Sequence, residues 1–319
     1  MNNLILGQIK ARLTVKVLGI IQLLIGFSTL VIAPIEIYSF YLFSEGGEFY
    51  YDGFGIGSFI HGLIVAQIFA FYGIGLLFII IGYGHIRLKN WTLNLSISSI
   101  WFWIIFGLPV MVFFLPLLSM KEINTQYPIL LLTFAALILI VVIPGLLLLF
   151  YNQKSVKELF HSPDDNGNVS QIMPVRSYLV LLVLSLFILL FHILIFYQGI
   201  FPMFGKFLTG LSGITIYGFL ILIMILLIYG LNNKVYIAWI VSIILFSILI
   251  VSSIITIICN KYVEIIELLK FPKLENDIFL KFPFKSIYLL IPVLYILTIS
   301  LIIIISSKKY FNNNRAYNT

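Results

Sequence analysis

Eight stretches of this chain are long and apolar enough to cross a hydrocarbon core, and nothing else in the sequence constrains the fold as much. They cover 17–43, 58–82, 95–118, 128–150, 178–201, 211–230, 235–258 and 286–307. A spanning helix needs roughly 20 mostly apolar residues. Lipid offers no water to backbone amides, so each run must satisfy its own hydrogen bonds, as a helix does. The runs are too long and too evenly apolar for the alternating pattern of a membrane strand. The expected fold class is all-α, a polytopic integral membrane protein of about eight transmembrane helices. Composition agrees, with 61% apolar and 10% charged residues. Soluble domains carry about 45–50% and about 25%. A soluble enzyme, a nucleic-acid-binding domain and a disordered chain are excluded on that ground.

Lys10, Arg12 and Lys16 precede the first run like the basic region of a signal peptide. The apolar stretch that follows continues through Phe43, well beyond the roughly 7–15 residues of a signal core, and lacks a small-residue exit. It is expected to remain as the first span. The single cysteine, Cys259, can form neither an internal disulfide nor a cysteine metal cluster.

Basic residues outside the spans set the expected orientation. Twelve fall on one side: Lys10, Arg12, Lys16, Arg87, Lys89, Lys154, Lys157, Arg176, Lys234, Lys308, Lys309 and Arg315. Seven fall on the other, and five of those lie in the loop 259–285. The larger set belongs in the cytoplasm, with both termini. The loop 259–285 disagrees with this tally, although Glu264, Glu267, Glu275 and Asp277 bring it near neutrality. A re-entrant segment there is the main threat to the topology. Lys261 to Phe271 also carries a polar row, Lys261, Glu264, Glu267 and Lys270. That pattern predicts an amphipathic helix lying in the outer interface or capping the bundle.

The expected organisation is a four-span half over 1–150, a cytoplasmic linker over 151–177 and a second four-span half over 178–319. A parallel duplication is one reading of the halves. Gly82-Tyr83-Gly84 before Lys89 is echoed by Tyr229-Gly230 before Lys234. Such matches are short, and apolar sequence matches itself easily.

Ionisable groups inside lipid are the first place to look for chemistry. Glu36, His61 and His192 all fall at an outer depth in their spans. Convergence would make a proton or cation site, with Gln67 and Gln198 as neutral partners. The plainer alternative is that Glu36 and His61 are interfacial and wet while His192 bonds a neighbouring helix, since depth alone does not make side chains face each other. Two His and a Glu also suggest a zinc set, but no fixed ligand spacing supports it. Gly62, Ala66, Ala70 and Gly73 form one smooth helix face. Such a face admits another backbone closely, within the chain or from a partner. Serines of the third and seventh spans offer helix-to-helix bonds, and Pro144-Gly145 is the expected bend.

Other motifs fail on inspection. The stretch His161-Ser-Pro-Asp-Asp-Asn-Gly-Asn168 lacks an acid at the first and twelfth positions of a calcium loop. Gly53, Gly55 and Gly57 lack the third glycine of a nucleotide fingerprint. No serine sits in a nucleophile elbow. The acceptor-like Asn90, Asn94 and Asn168 lie on the expected cytoplasmic side, where they stay unmodified. Cofactors are not indicated, and the expected partners are the lipid bilayer and other membrane subunits or a second copy, not nucleic acid. Three functional readings follow, in this order: a non-catalytic accessory, anchoring or assembly component of the cell membrane; a small-solute or ion transporter using Glu36, His61 and His192; and a membrane-embedded enzyme acting on lipid.

Overall fold

The computed structural model describes residues 2–44, 48, 58–119, 126–160, 173–197, 199–281 and 285–312. Residues 45–57 apart from Glu48, the polar stretch 161–168 with Asn168, and Gln198 lie outside them. Among the described residues, eight helices are long and apolar enough to span a membrane: Gly7–Phe43, Phe59–Ile86, Asn90–Pro109, Thr133–Tyr151, Val175–Phe196, Leu211–Asn232, Tyr236–Cys259 and Tyr288–Ser306. The protein is an all-α polytopic membrane protein. The full helices around these spans are α1 (Asn2–Phe43), α2 (Phe59–Ile86), α3 (Asn90–Ser119), α4 (Gln126–Leu137) and α5 (Ile143–Tyr151). After them come the short α6 (Lys154–Phe160), then α7 (Val175–Phe196), α8 (Leu211–Asn232) and α9 (Tyr236–Cys259). The loop 259–285 forms α10 (Tyr262–Leu269) and α11 (Lys273–Lys281), and α12 (Ser286–Ser306) and α13 (Lys308–Asn312) follow.

The residues group into two compact units, Met1–Leu24 with Phe78–Leu182, and Ile25–Leu77 with Val183–Thr319. In the first, Ala11, Val15, Leu93, Tyr151, Val156 and Phe160 form a buried core. Two glycines let α1 meet α2. A Cβ on Gly82 would lie 2.7 Å from the Gly19 carbonyl oxygen. Helix α6 is amphipathic, with Val156 and Phe160 buried one turn apart and Lys154 exposed. Asn94 donates to the Met173 carbonyl at 2.9 Å, and Ser98 to that of Val175 at 2.7 Å, so α3 holds the start of α7.

The fourth span is interrupted where the sequence places its bend. Ile138–Val142 is a π-helical turn, in which the Ile143 N–H reaches back to Ile138. Pro144 explains it. A proline ring clashes with the carbonyl four residues earlier and brings no N–H, and a wider turn relieves both. In the wider register the Leu139 carbonyl would need the amide hydrogen that Pro144 lacks. The Trp103 indole supplies one instead, at 3.3 Å.

In the second unit α9 packs along α12, and the Trp239 indole donates to the Ile304 carbonyl at 2.8 Å. Between α7 and α8 lies a β-hairpin that the sequence reading did not anticipate. Strands β1 (Phe201–Met203) and β2 (Lys206–Leu208) pair antiparallel, Met203 opposite Lys206. The two turn residues Phe204 and Gly205 both have positive φ, 41° and 102°. That is the twist a two-residue hairpin requires. One face of α9 holds the turn. The Phe204 N–H donates to Ser252, and the Gly205 N–H to Thr256, each at 3.0 Å. Asn260 donates to the Gly205 carbonyl at 3.1 Å. Ser252 and Thr256 of α9, and Asn260 just beyond it, therefore satisfy hairpin backbone rather than another helix.

Two inter-helix turns are built alike. Leu88 and Lys234 are left-handed, with φ 51° and 60°. Lys89 N–H bonds to the Gly84 carbonyl at 2.9 Å, and Val235 N–H to that of Gly230 at 2.8 Å. Thr92 closes back on Lys89, as Ala238 does on Val235.

The loop 259–285 is two short helices, each far below spanning length. Glu264 caps α10 by accepting from the Lys261 N–H at 2.9 Å. Tyr262, Ile265 and Ile266 are buried, so the apolar face of α10 is used for packing. Left-handed Lys270 and then Pro272 end the helix.

Candidate functional site

The sequence-selected groups lie in the second unit. On α1, Glu36 and Phe40 are one turn apart and face α2. Gln67 donates to Glu36 Oε1 at 3.3 Å. The His61 ring packs on Phe40, with centroids 5.0 Å apart. The pairs 36 with 67 and 40 with 61 run in opposite directions, as neighbouring antiparallel helices require. Ser58 caps this end of α2, its hydroxyl accepting from the His61 N–H at 3.0 Å.

His192 is placed differently. Its Nδ1 bonds the Ile188 carbonyl of its own helix at 2.7 Å, and its ring packs on Phe69 with centroids 5.9 Å apart. The structure therefore joins Glu36 to Gln67 and His61 to Phe40, while His192 is occupied by its own helix. Among the described residues, no three His, Cys, Asp or Glu side chains are grouped closely enough to hold a metal ion.

The small face of α2 is filled from within the chain at its two glycines. A Cβ on Gly62 would overlap the Tyr197 hydroxyl, and one on Gly73 would lie 3.3 Å from Leu189. Ala66 is half-buried and Ala70 exposed. Tyr197 is a fixed neighbour. Its hydroxyl donates to the Phe59 carbonyl at 3.0 Å. The Phe59 N–H, at the first turn of α2, donates to Glu275 Oε2 at 2.7 Å. A carboxylate at a helix N-terminus meets an orphan amide and the positive end of the helix dipole. The rings of Phe59, Phe271 and Phe279 cluster beside it, with centroids 5.1–6.2 Å apart. Burial and the neighbouring Glu275 carboxylate push the Tyr197 phenol up to about 12, so it donates as a neutral group at ordinary pH.

A fully buried histidine lies in the first unit and was missed from sequence. His85 is 0% exposed. Its Nδ1 is 2.6 Å from Gln22 Oε1, and its Nε2 is 3.1 Å from the Tyr151 hydroxyl. Since the amide oxygen only accepts, Nδ1 carries the hydrogen and Nε2 accepts from Tyr151. Ser96 lies 3.4 Å from Nε2, but its hydroxyl already donates to the Thr92 carbonyl at 2.8 Å. The imidazole stacks on Tyr151 with centroids 5.5 Å apart, and meets the edge of Phe160. One ring thus ties α1, α2, α3, α5 and α6 together. His85 escaped notice because the second span was expected to end at 82, before Gly84 and the basic Arg87. Helix α2 instead continues to Ile86. The available signal was Gln22, a lone amide inside an apolar run that needs a partner.

No known protein family, curated protein or solved structure matches this chain.

Proposed function

We propose that this protein is a non-catalytic membrane component, an accessory, anchoring or assembly subunit, with both termini on the cytoplasmic side of the cell membrane. One observation carries the reading. The polar groups inside the spans are directed at partners in the same chain: Glu36 at Gln67, His192 at the Ile188 carbonyl, and His85 at Gln22 and Tyr151. The Glu36 and His85 bonds fasten one helix to another, and His192 is spent on its own helix. A transport site instead needs polar groups turned toward a water-filled path. The similar turns at 84–92 and 230–238 support an origin by duplication of a four-helix unit.

The test is flux. The whole chain, reconstituted into liposomes carrying a proton, sodium or potassium gradient, is expected to dissipate it no faster than protein-free liposomes do. A flux abolished by Glu36→Gln or His192→Ala would refute the reading and establish the transporter alternative.

A further inference from the structure

We infer that the end of the first unit bearing the N-terminus is a binding surface for the headgroups of anionic phospholipids. Ala11 is buried in the core of that unit, and its chain neighbours Lys10 and Arg12 are exposed. Leu88 packs against the same core, and its neighbours Arg87 and Lys89 are exposed. Val156 and Phe160 enter the core from α6, which leaves Lys154 94% exposed. The packing that buries these apolar residues therefore gathers the cations of α1, the α2–α3 turn and α6 around one end of the unit. Gln8 of α1 bonds Glu158 of α6 at 3.4 Å, which brings the two basic elements into contact. The acid Glu158 faces Lys154 at 3.9 Å and offsets only part of the charge.

The height of these cations fixes the occupant. The second span ends at Ile86, directly before Arg87, and the fourth ends at Tyr151, three residues before Lys154. Arg87 and Lys154 stand where hydrocarbon gives way to headgroups, and the packing of Ala11 with Leu88 and Val156 brings Lys10 and Arg12 beside them. A phosphodiester there is anionic, abundant and held at the right depth. Basic clusters just beyond spans attract anionic lipid through the negative surface potential. The loop 259–285 also holds lysines, but Glu264, Glu267, Glu275 and Asp277 interleave with them, so it serves as the internal control. This inference stands whether or not the protein transports a solute.

The experiment uses the full chain in phosphatidylcholine vesicles, with spin-labelled phosphatidylglycerol or phosphatidylcholine as the probe. The fraction of probe immobilised at the protein is read at low salt and at 1 M sodium chloride. Phosphatidylglycerol is expected to be favoured about fivefold at low salt. At 1 M salt the Debye length falls to about 3 Å, and the preference is expected to approach one. The variant Lys10→Gln/Arg12→Gln/Arg87→Gln/Lys89→Gln is expected to lose the preference, while Lys261→Gln/Lys270→Gln/Lys273→Gln/Lys281→Gln keeps it. Sodium phosphate is expected to displace the lipid no better than sodium chloride of equal ionic strength. Equal association of the two lipids with the wild-type protein overturns the inference, independently of how the variants fold. So does equal loss in both variants, or selective displacement by free phosphate.

Discussion

Replacing Tyr151 by Phe deletes one hydroxyl from the quartet of half-buried Gln22 and buried His85, Ser96 and Tyr151 and leaves its rings in place. The hydroxyl donates to His85 Nε2 at 3.1 Å, where His85 is 0% and Tyr151 1% exposed. Water therefore has no access to the orphaned nitrogen. Ser96 is the nearest substitute, but it is 3.4 Å away and already committed to the Thr92 carbonyl. Leaving a buried acceptor unsatisfied costs about 1–3 kcal/mol in soluble proteins. Inter-helix hydrogen bonds in membranes average about 0.6 kcal/mol, with a maximum near 1.7. Full burial and the poor substitute place this site at the upper end of the membrane range, about 1–2 kcal/mol. The triple variant Gln22→Leu/His85→Phe/Tyr151→Phe removes the imidazole with its Gln22 and Tyr151 partners, keeps apolar side chains of similar size, and leaves Ser96 on the Thr92 carbonyl. It is expected to lose no more stability than Tyr151→Phe alone, because replacing both partners of a buried pair by apolar groups is close to neutral. Reversible unfolding by SDS in mixed micelles, followed by tryptophan fluorescence, measures both. A Tyr151→Phe protein within about 0.3 kcal/mol of wild type would refute the reasoning, since that is the scatter of uncoupled surface changes. A triple variant much weaker than the single would do so too.

Three further outcomes follow from other positions. Gly62→Val places a side chain on the Tyr197 hydroxyl and is expected to lower the unfolding midpoint, by about 1–3 kcal/mol for an overpacked site. Gly218→Ala, mid-helix in α8 with nothing near its added Cβ, is expected to be neutral or to stabilise by up to about 1 kcal/mol in the same titration. Tyr197 is held up to about 12, above the ordinary tyrosine value near 10. Its contribution to stability is therefore complete below pH 10 and lost as pH rises toward 12; ultraviolet titration of Glu275→Gln should show a lower midpoint for this phenol, and an unchanged one would mean that Glu275 does not act on it.

The eight spans were legible because lipid makes one demand of every residue in a run, and hydropathy records it. Contact partners were not legible in the same way. Glu36 and His61 were found by depth, with Gln67 as a neutral partner, yet depth could not tell that Gln67 would reach Glu36 while His61 would meet the Phe40 ring. His85 was passed over because Gly84 and Arg87 look like the end of a helix, whereas close approach at Gly19 and Gly82 carries α2 on to Ile86. The bend at Pro144 could be read from one residue, because its missing N–H acts locally. The hairpin at 201–208 could not. Phe204 is a poor left-handed residue by itself, and the bonds from Ser252, Thr256 and Asn260 that hold it come from about 50 residues away.

Labelling of substituted cysteines with a membrane-impermeant maleimide tests the architecture most directly. Cys259 is exposed and is first replaced by Ser. Single cysteines then take the place of Lys89, Lys154, Asn233, Lys308, Lys206 and Lys273. The account predicts that the first four react from one face of the membrane and the last two only from the other. Reaction of Lys154→Cys and Lys206→Cys from the same face would contradict it.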